Sequence, residues 1–143
     1  LAISIVEDPP TSLVSRRLFP VRWAVYGTRA VAAEPHRARW VRLGPPHDTT
    51  WLGQWETKHV PDARVAIATP SRRLLVDLVA SGAGLGLLPV RLAAEVPGLV
   101  EVPMYAPLVG ELTRSAWLFT NPDVRRDARV VAVSRVLLEH LKD

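Results

Sequence analysis

Apolar and polar positions along the chain fall into short blocks separated by proline and glycine, and the period inside each block predicts its element. Leu1 to Val6 is a continuous apolar run ended by Glu7-Asp8-Pro9-Pro10, the pattern of a buried strand running into a loop. Leu13 to Leu18 is a second, short run. Arg22 to Gly27 is rich in aromatic and β-branched residues and predicts a strand, with a short helix following over Ala30 to Ala33 and stopped by Glu34-Pro35. Arg39 to Leu43 alternates and ends at Gly44-Pro45-Pro46, so it predicts another strand. Between His47 and Glu56 the spacing favours a short helix that packs Trp51, Leu52 and Trp55. Ala63 to Ala68 alternates through Val65 and Ile67 and predicts the next strand.

The clearest helix follows. Thr69 is a good N-cap, Pro70 suits the first helical position, and Leu74, Leu75, Leu78 and Val79 form one apolar stripe. Ser81-Gly82 closes it, and Gly84 to Leu88 predicts a fully buried strand. Pro89 starts a short helix through Glu95, Leu99 to Val102 and Ala116 to Thr120 predict strands, and a last helix runs from about Asp127 to Leu141. In that helix Val130, Val133, Leu137 and Leu141 align. Strands alternating with helices at these intervals predict an α/β fold with a largely parallel sheet, which places ligands at the carboxyl ends of its strands.

Composition narrows the class. Of 143 residues 48% are hydrophobic and 22% charged, the balance of a folded soluble chain. There is no cysteine, which excludes disulfides, thiolate metal sites and cysteine nucleophiles and fits a reducing compartment. No apolar stretch reaches membrane length without a charge or a proline, so no membrane partner is expected. The formal charge of +4 comes almost wholly from arginines, since only Lys58 and Lys142 are lysines. These arginines are spread along the chain in pairs such as Arg16-Arg17, Arg72-Arg73 and Arg125-Arg126, which reads as solvated surface rather than a phosphate-binding face.

The stretch Leu75 to Pro89, LVDLVASGAGLGLLP, resembles the signature of the LysR-type effector-binding domain, where a helix ends in a glycine turn and feeds a buried strand that stops at proline. Pro97 to Val100 and Ala116 to Arg126 resemble that family's closing segments. Leu1-Ala2-Ile3 resembles the end of its Asp-Leu-Ala-Ile strand, and Leu13 to Ala33 resembles the passage into its second lobe. The matches run in order along nearly the whole chain. The resemblance implies a type 2 periplasmic-binding-protein-like α/β domain, with Arg22 to Thr28 and Trp117 to Asn121 as the two strands crossing between lobes. Residues 1–23 and 117–143 would form part of the first effector lobe, and residues 24–116 a nearly complete second lobe.

The function implied is cytoplasmic sensing of a small, anionic effector for a bacterial transcriptional regulator. Effector domains of that family pair with one another, so a homo-oligomer is implied. DNA would be contacted only through an N-terminal winged helix-turn-helix that this chain lacks. The alternative is a structural or oligomerisation fragment without ligand binding of its own.

Thr69, Pro70 and Ser71 open the best helix, where free N–H groups and the helix dipole favour an anion, and the resemblance makes this turn line the effector cleft. A plain capping role for Thr69 is compatible with that. Thr28 ends a strand, either facing the cleft or capping the next helix. Asn121 ends another, with Asn-Pro also a common turn pair. Residues 81 to 86 are not a phosphate loop, because their glycines follow a helix and precede a strand. His36, His47, His59 and His140 lack metal-ligand spacing, and no G-x-S-x-G elbow is present. No metal, no cofactor and no catalysis are therefore expected.

Overall fold

The computed structural model describes residues 1–141. In chain order the strands are β1 (Ala2–Val6), β2 (Val14–Val21) and β3 (Trp23–Thr28), followed by helix α1 (Arg29–Ala33), β4 (Trp40–Leu43) and α2 (Trp51–His59). Then come β5 (Val65–Thr69), α3 (Arg72–Ala80), β6 (Gly86–Pro89), α4 (Val90–Ala94) and β7 (Leu99–Glu101). The chain ends with α5 (Ala106–Val109), β8 (Arg114–Thr120) and α6 (Ala128–Leu141). Two compact units result. Unit 1 holds Leu1–Val21 and the chain from Thr113 on, and unit 2 is Arg22–Leu112.

Unit 1 is an antiparallel sheet in the order β1-β8-β2. β8 is central, and Ala116, Leu118, Phe119 and Thr120 are its buried positions. The apolar run at the chain start forms β1 as expected, but this strand is an edge, paired only with β8, and Ala2 to Ser4 are exposed. An unbroken apolar run says that both faces favour burial, not that both are covered. In α6 the half-buried positions are Val130, Ser134, Leu137, Leu138 and Leu141, whereas Val133 is 50% exposed. The stripe thus uses Ser134 where the apolar pattern had placed Val133, one residue or about 100° around the helix.

Unit 2 contains an antiparallel ribbon β6-β3-β7 and a parallel pair β4-β5. A bridge between Trp40 and Leu85 joins them, with Val41 N donating to Leu85 O and Leu85 N to Arg39 O, both at 2.8 Å. Val41, Leu43, Leu75, Val79, Leu88 and Ala24 form the centre of the core. The sheet is therefore mostly antiparallel, against the parallel arrangement expected from strand–helix alternation. Alternation fixes which elements neighbour each other in sequence, but β3 takes its partners from β6 and β7, which both return along it in the opposite direction. β3 and β8 each lie wholly within one sheet. The compact units divide at Val21/Arg22 and Leu112/Thr113, close to the 23/24 and 116/117 of the sequence reading.

Local chemistry explains the family-like turn after α3. Gly82 has φ +86°, a backbone state that costs a side-chain-bearing residue strain, and its N–H donates to Val79 O. At Gly84 a Cβ would sit 2.5 Å from Arg39 O, so only glycine lets Leu85 reach β4.

Candidate functional site

The carboxyl ends of β4 and β5 meet the start of α3, and the site is built there. Thr69 is the buried last residue of β5, aligned with Leu43 of β4, and its carbonyl accepts from Gly44 N at 2.9 Å. The helix does not begin at Pro70. Its N-cap is Ser71, whose Oγ accepts from Leu74 N at 3.1 Å, while Thr69 Oγ1 accepts from Ser71 N at 3.1 Å. Two hydroxyls therefore satisfy two donors, and Leu75 N finds Ser71 O. Among the described residues, that leaves the N–H groups of Arg72 and Arg73 as the open donors of the first turn. With the start displaced by two residues, the buried stripe becomes Leu75, Val76 and Val79, and Leu74 faces outward.

Next to this turn lies a small cavity of about 60 Å³ lined by Trp23, Leu43, Arg72, Leu75, Leu87 and Pro89, among others. It has room for an alkyl end or a ring edge, not for a whole ligand. Trp23 is only 8% exposed and stands edge-on to Trp51 at 5.8 Å, yet its Nε1 has no acceptor among the described residues. A buried donor without a partner is costly, on the order of 1–3 kcal/mol, and such atoms cluster where something else supplies the acceptor. Arg72 is exposed and forms no ion pair among the described residues.

Behind β4 sits Glu56 of α2, 1% exposed, its Oε2 accepting from Leu43 N at 3.2 Å. Burial pushes its carboxyl up to about 7, against the opposing pull of the Leu43 hydrogen bond and of the Arg42 and Arg72 charges. Arg42 itself is held 2.8 Å from Asp62 Oδ1. Sequence reasoning recognised Trp51, Leu52 and Trp55 as the packing face of α2 but missed that Glu56 shares it. The signal was present, since positions 52, 55, 56 and 59 lie on one side of a helix. Trp23 and Arg72 were also passed over, the first as a strand aromatic and the second as a surface charge.

Of the other sequence-derived candidates, Thr28 belongs to unit 2 and lies apart from this turn, and Asn121 belongs to unit 1. Thr28 caps α1, accepting from Val31 N at 3.5 Å, and lies beside Gly82 at the far end of α3. Nine helical residues, roughly 13 Å, separate that end from Ser71. Asn121, in unit 1, accepts from Asp123 N at 2.9 Å and caps a short 3-10 turn. In unit 1 the fold also gathers arginines that look scattered along the chain. Arg16, Arg125, Arg126 and Arg135 line a groove of about 540 Å³ together with Leu118 and Leu138. Those four side chains are exposed, as Arg72 is, but among the described residues no buried donor without a partner lines that groove. Among the described residues no group of three or more His, Cys, Asp or Glu side chains is placed to hold a metal, and no helix is long and apolar enough to cross a membrane.

Comparison with known proteins agrees with this architecture. The regulatory domain of CrgA, a LysR-type transcriptional regulator from Neisseria meningitidis, superposes with a TM-score of 0.73 at 21% identity. The alignment covers 97% of this chain and 74% of that domain. Against the structure of CrgA itself the TM-score is 0.72 at 18% identity, covering 99% of this chain and 52% of that one. The CcmR regulatory domain of Synechocystis PCC6803, in complex with 2-PG, gives 0.67 at 14% identity, with 99% and 74% covered. No curated protein matches the chain in sequence. Residues 1–142 match the LysR substrate binding domain. The chain belongs to that family, the effector-binding domains of LysR-type transcriptional regulators.

Proposed function

We propose that this domain senses a small anionic molecule, held at the β4–β5 edge of unit 2 rather than turned over. The observation that carries the reading is the pairing, around one small cavity, of an unsatisfied buried donor on Trp23 with an unpaired Arg72 at the start of α3. A carboxylate of the ligand would take the Arg72 guanidinium and the open N–H groups of the first turn, and its apolar end would rest against Leu43, Leu87 and Pro89. Thr69 and Ser71 shape that turn while their hydroxyls stay engaged with the backbone. Pro70 holds the chain between them. Within unit 2, Thr28 remains an expected contact only for a ligand that extends beyond this turn.

A thermal-shift series with small carboxylates, benzoate among them, tests the proposal. A ligand at a hundredfold excess over its Kd stabilises by about 2.7 kcal/mol, and Arg72→Ala is expected to weaken that ligand roughly tenfold or more by removing a charge-assisted hydrogen bond. Stabilisation by no carboxylate, or equal stabilisation of wild type and Arg72→Ala, rejects the site.

Self-association is a second reading, compatible with the first, and a specific observation favours it. In unit 1 the side chains of Leu1, Ile3, Val133 and Val136 are all close to half exposed or more. Such apolar surface favours a protein partner, and a second copy is the simplest. Sedimentation velocity across a hundredfold concentration range is expected to show reversible growth beyond the monomer, reduced by Val133→Glu with Val136→Glu. A monomer at every concentration removes this reading.

A further inference from the structure

We propose that Glu56 makes ligand binding at this edge proton-coupled: an anion that takes Arg72 leaves the buried carboxylate short of a positive charge, so the domain takes up a proton as it binds. This rests on the anion site proposed above and adds its regulation.

The geometry puts the two groups in one circuit. Glu56 is sealed from water and, among the described residues, accepts a single hydrogen bond, from Leu43 N. Leu43 lines the same small cavity as Arg72, and its β5 neighbour is Thr69, which shapes the turn before α3. Two cations act on the carboxylate, Arg42 from β4 and Arg72 from α3. They are not equivalent. Arg42 is committed to Asp62, whereas Arg72 forms no ion pair among the described residues and is the one a ligand would engage. Other titratable or charged groups on the packed elements include His47 and Asp48 in the turn before α2, Lys58 and His59 on α2 itself, and Arg73 and Asp77 of α3, which pair with each other at 3.3 Å. None of them acts on Glu56 as Arg72 does.

The consequence follows from linkage. Burial already sets Glu56 near the middle of its titration at neutral pH. A ligand anion that neutralises Arg72 raises the carboxyl further, so the protonated form binds the ligand more tightly than the ionised form. The ligand is therefore expected to bind more tightly at pH 6 than at pH 8.5, and binding near pH 7 to take up a fraction of a proton. The side chain touches no ligand in this scheme. It is a positioning residue that tunes Arg72, and it makes the domain a sensor of an anion together with acidity.

The test uses the whole chain and benzoate, which stays ionised across this range. Calorimetry in two buffers of different ionisation enthalpy counts protons taken up. Wild type is expected to show that uptake and the fall in affinity with pH, while Glu56→Gln binds with pH-independent affinity and no uptake. Binding by wild type without proton uptake, or uptake that survives in Glu56→Gln, overturns the coupling and leaves the anion site standing. No benzoate binding at any pH, with the fold intact by circular dichroism, overturns both. A ligand-free measurement adds a separate check. Carboxyl ¹³C resonances should show the Glu56 midpoint moving upward in Arg72→Ala and returning in Arg72→Lys, and an unmoved midpoint overturns the coupling.

Discussion

Replacing Glu56 by glutamine is expected to stabilise unit 2 by about 3 kcal/mol at pH 8 and to change little near pH 4.5. Glutamine keeps an acceptor for Leu43 N and the side-chain shape, but it carries no charge into a site that excludes water. In the wild type the carboxyl is raised, mainly by burial, from 4.5 to about 7 in the folded chain. The folded state therefore holds this proton more tightly than the unfolded state. Stability from this group is fully present below 4.5, is lost as pH rises towards 7, and stays lost above it. The displacement corresponds to about 3 kcal/mol, which is large against the 5–15 kcal/mol of a typical domain. Urea midpoints of both proteins at pH 5 and pH 8 decide the matter. A midpoint difference that is the same at both values would show that Glu56 is not the group that titrates.

The Glu56 result bears on what a sequence discloses. Elements whose ends are marked by backbone chemistry were legible, because one residue type solves one local problem. Gly82 is such a case, since the left-handed turn after α3 selects glycine wherever it occurs. The family resemblance rests largely on this turn, and it led to the right fold class. The start of α3 was less legible. Thr69, Pro70 and Ser71 all suit a helix entry, and only the pairing of Thr69 with Leu43 assigns it to the strand and passes the cap to Ser71. The parallel sheet was misjudged for a related reason, because strand direction is set by partners distant in sequence. The site was legible in its turn and not in its chemistry. Trp23, Arg72 and Glu56 belong to three different elements, and each alone looks ordinary. Their meaning comes from an indole N–H without an acceptor, a guanidinium without a counter-ion, and a carboxylate behind the same strand. None of these is a property of spacing. The four arginines of unit 1 make the same point in reverse, since residues far apart along the chain are gathered by packing into one groove.

Trp40→Ala is expected to cost unit 2 about 3–5 kcal/mol, the range for deleting a fully buried large aromatic side chain. Trp40 is 1% exposed and stands edge-on to Tyr105 with ring centroids 5.2 Å apart, a geometry worth a further fraction of a kcal/mol beyond burial. Its backbone matters as much as its ring, because Trp40 bridges Leu85 and so links the β4-β5 pair to the β6-β3-β7 ribbon. Deleting the ring leaves a cavity at that joint, next to a strand only four residues long. The loss would reach the site, since the far end of the same strand presents Leu43 to both Glu56 and the small cavity. Trp40→Phe keeps an aromatic edge for Tyr105 and is expected to cost roughly half as much. Urea titrations of the three proteins measure the difference. A cost below about 1 kcal/mol for Trp40→Ala would mean that the joint is held by its backbone bridge alone and that the ring is not what secures β4.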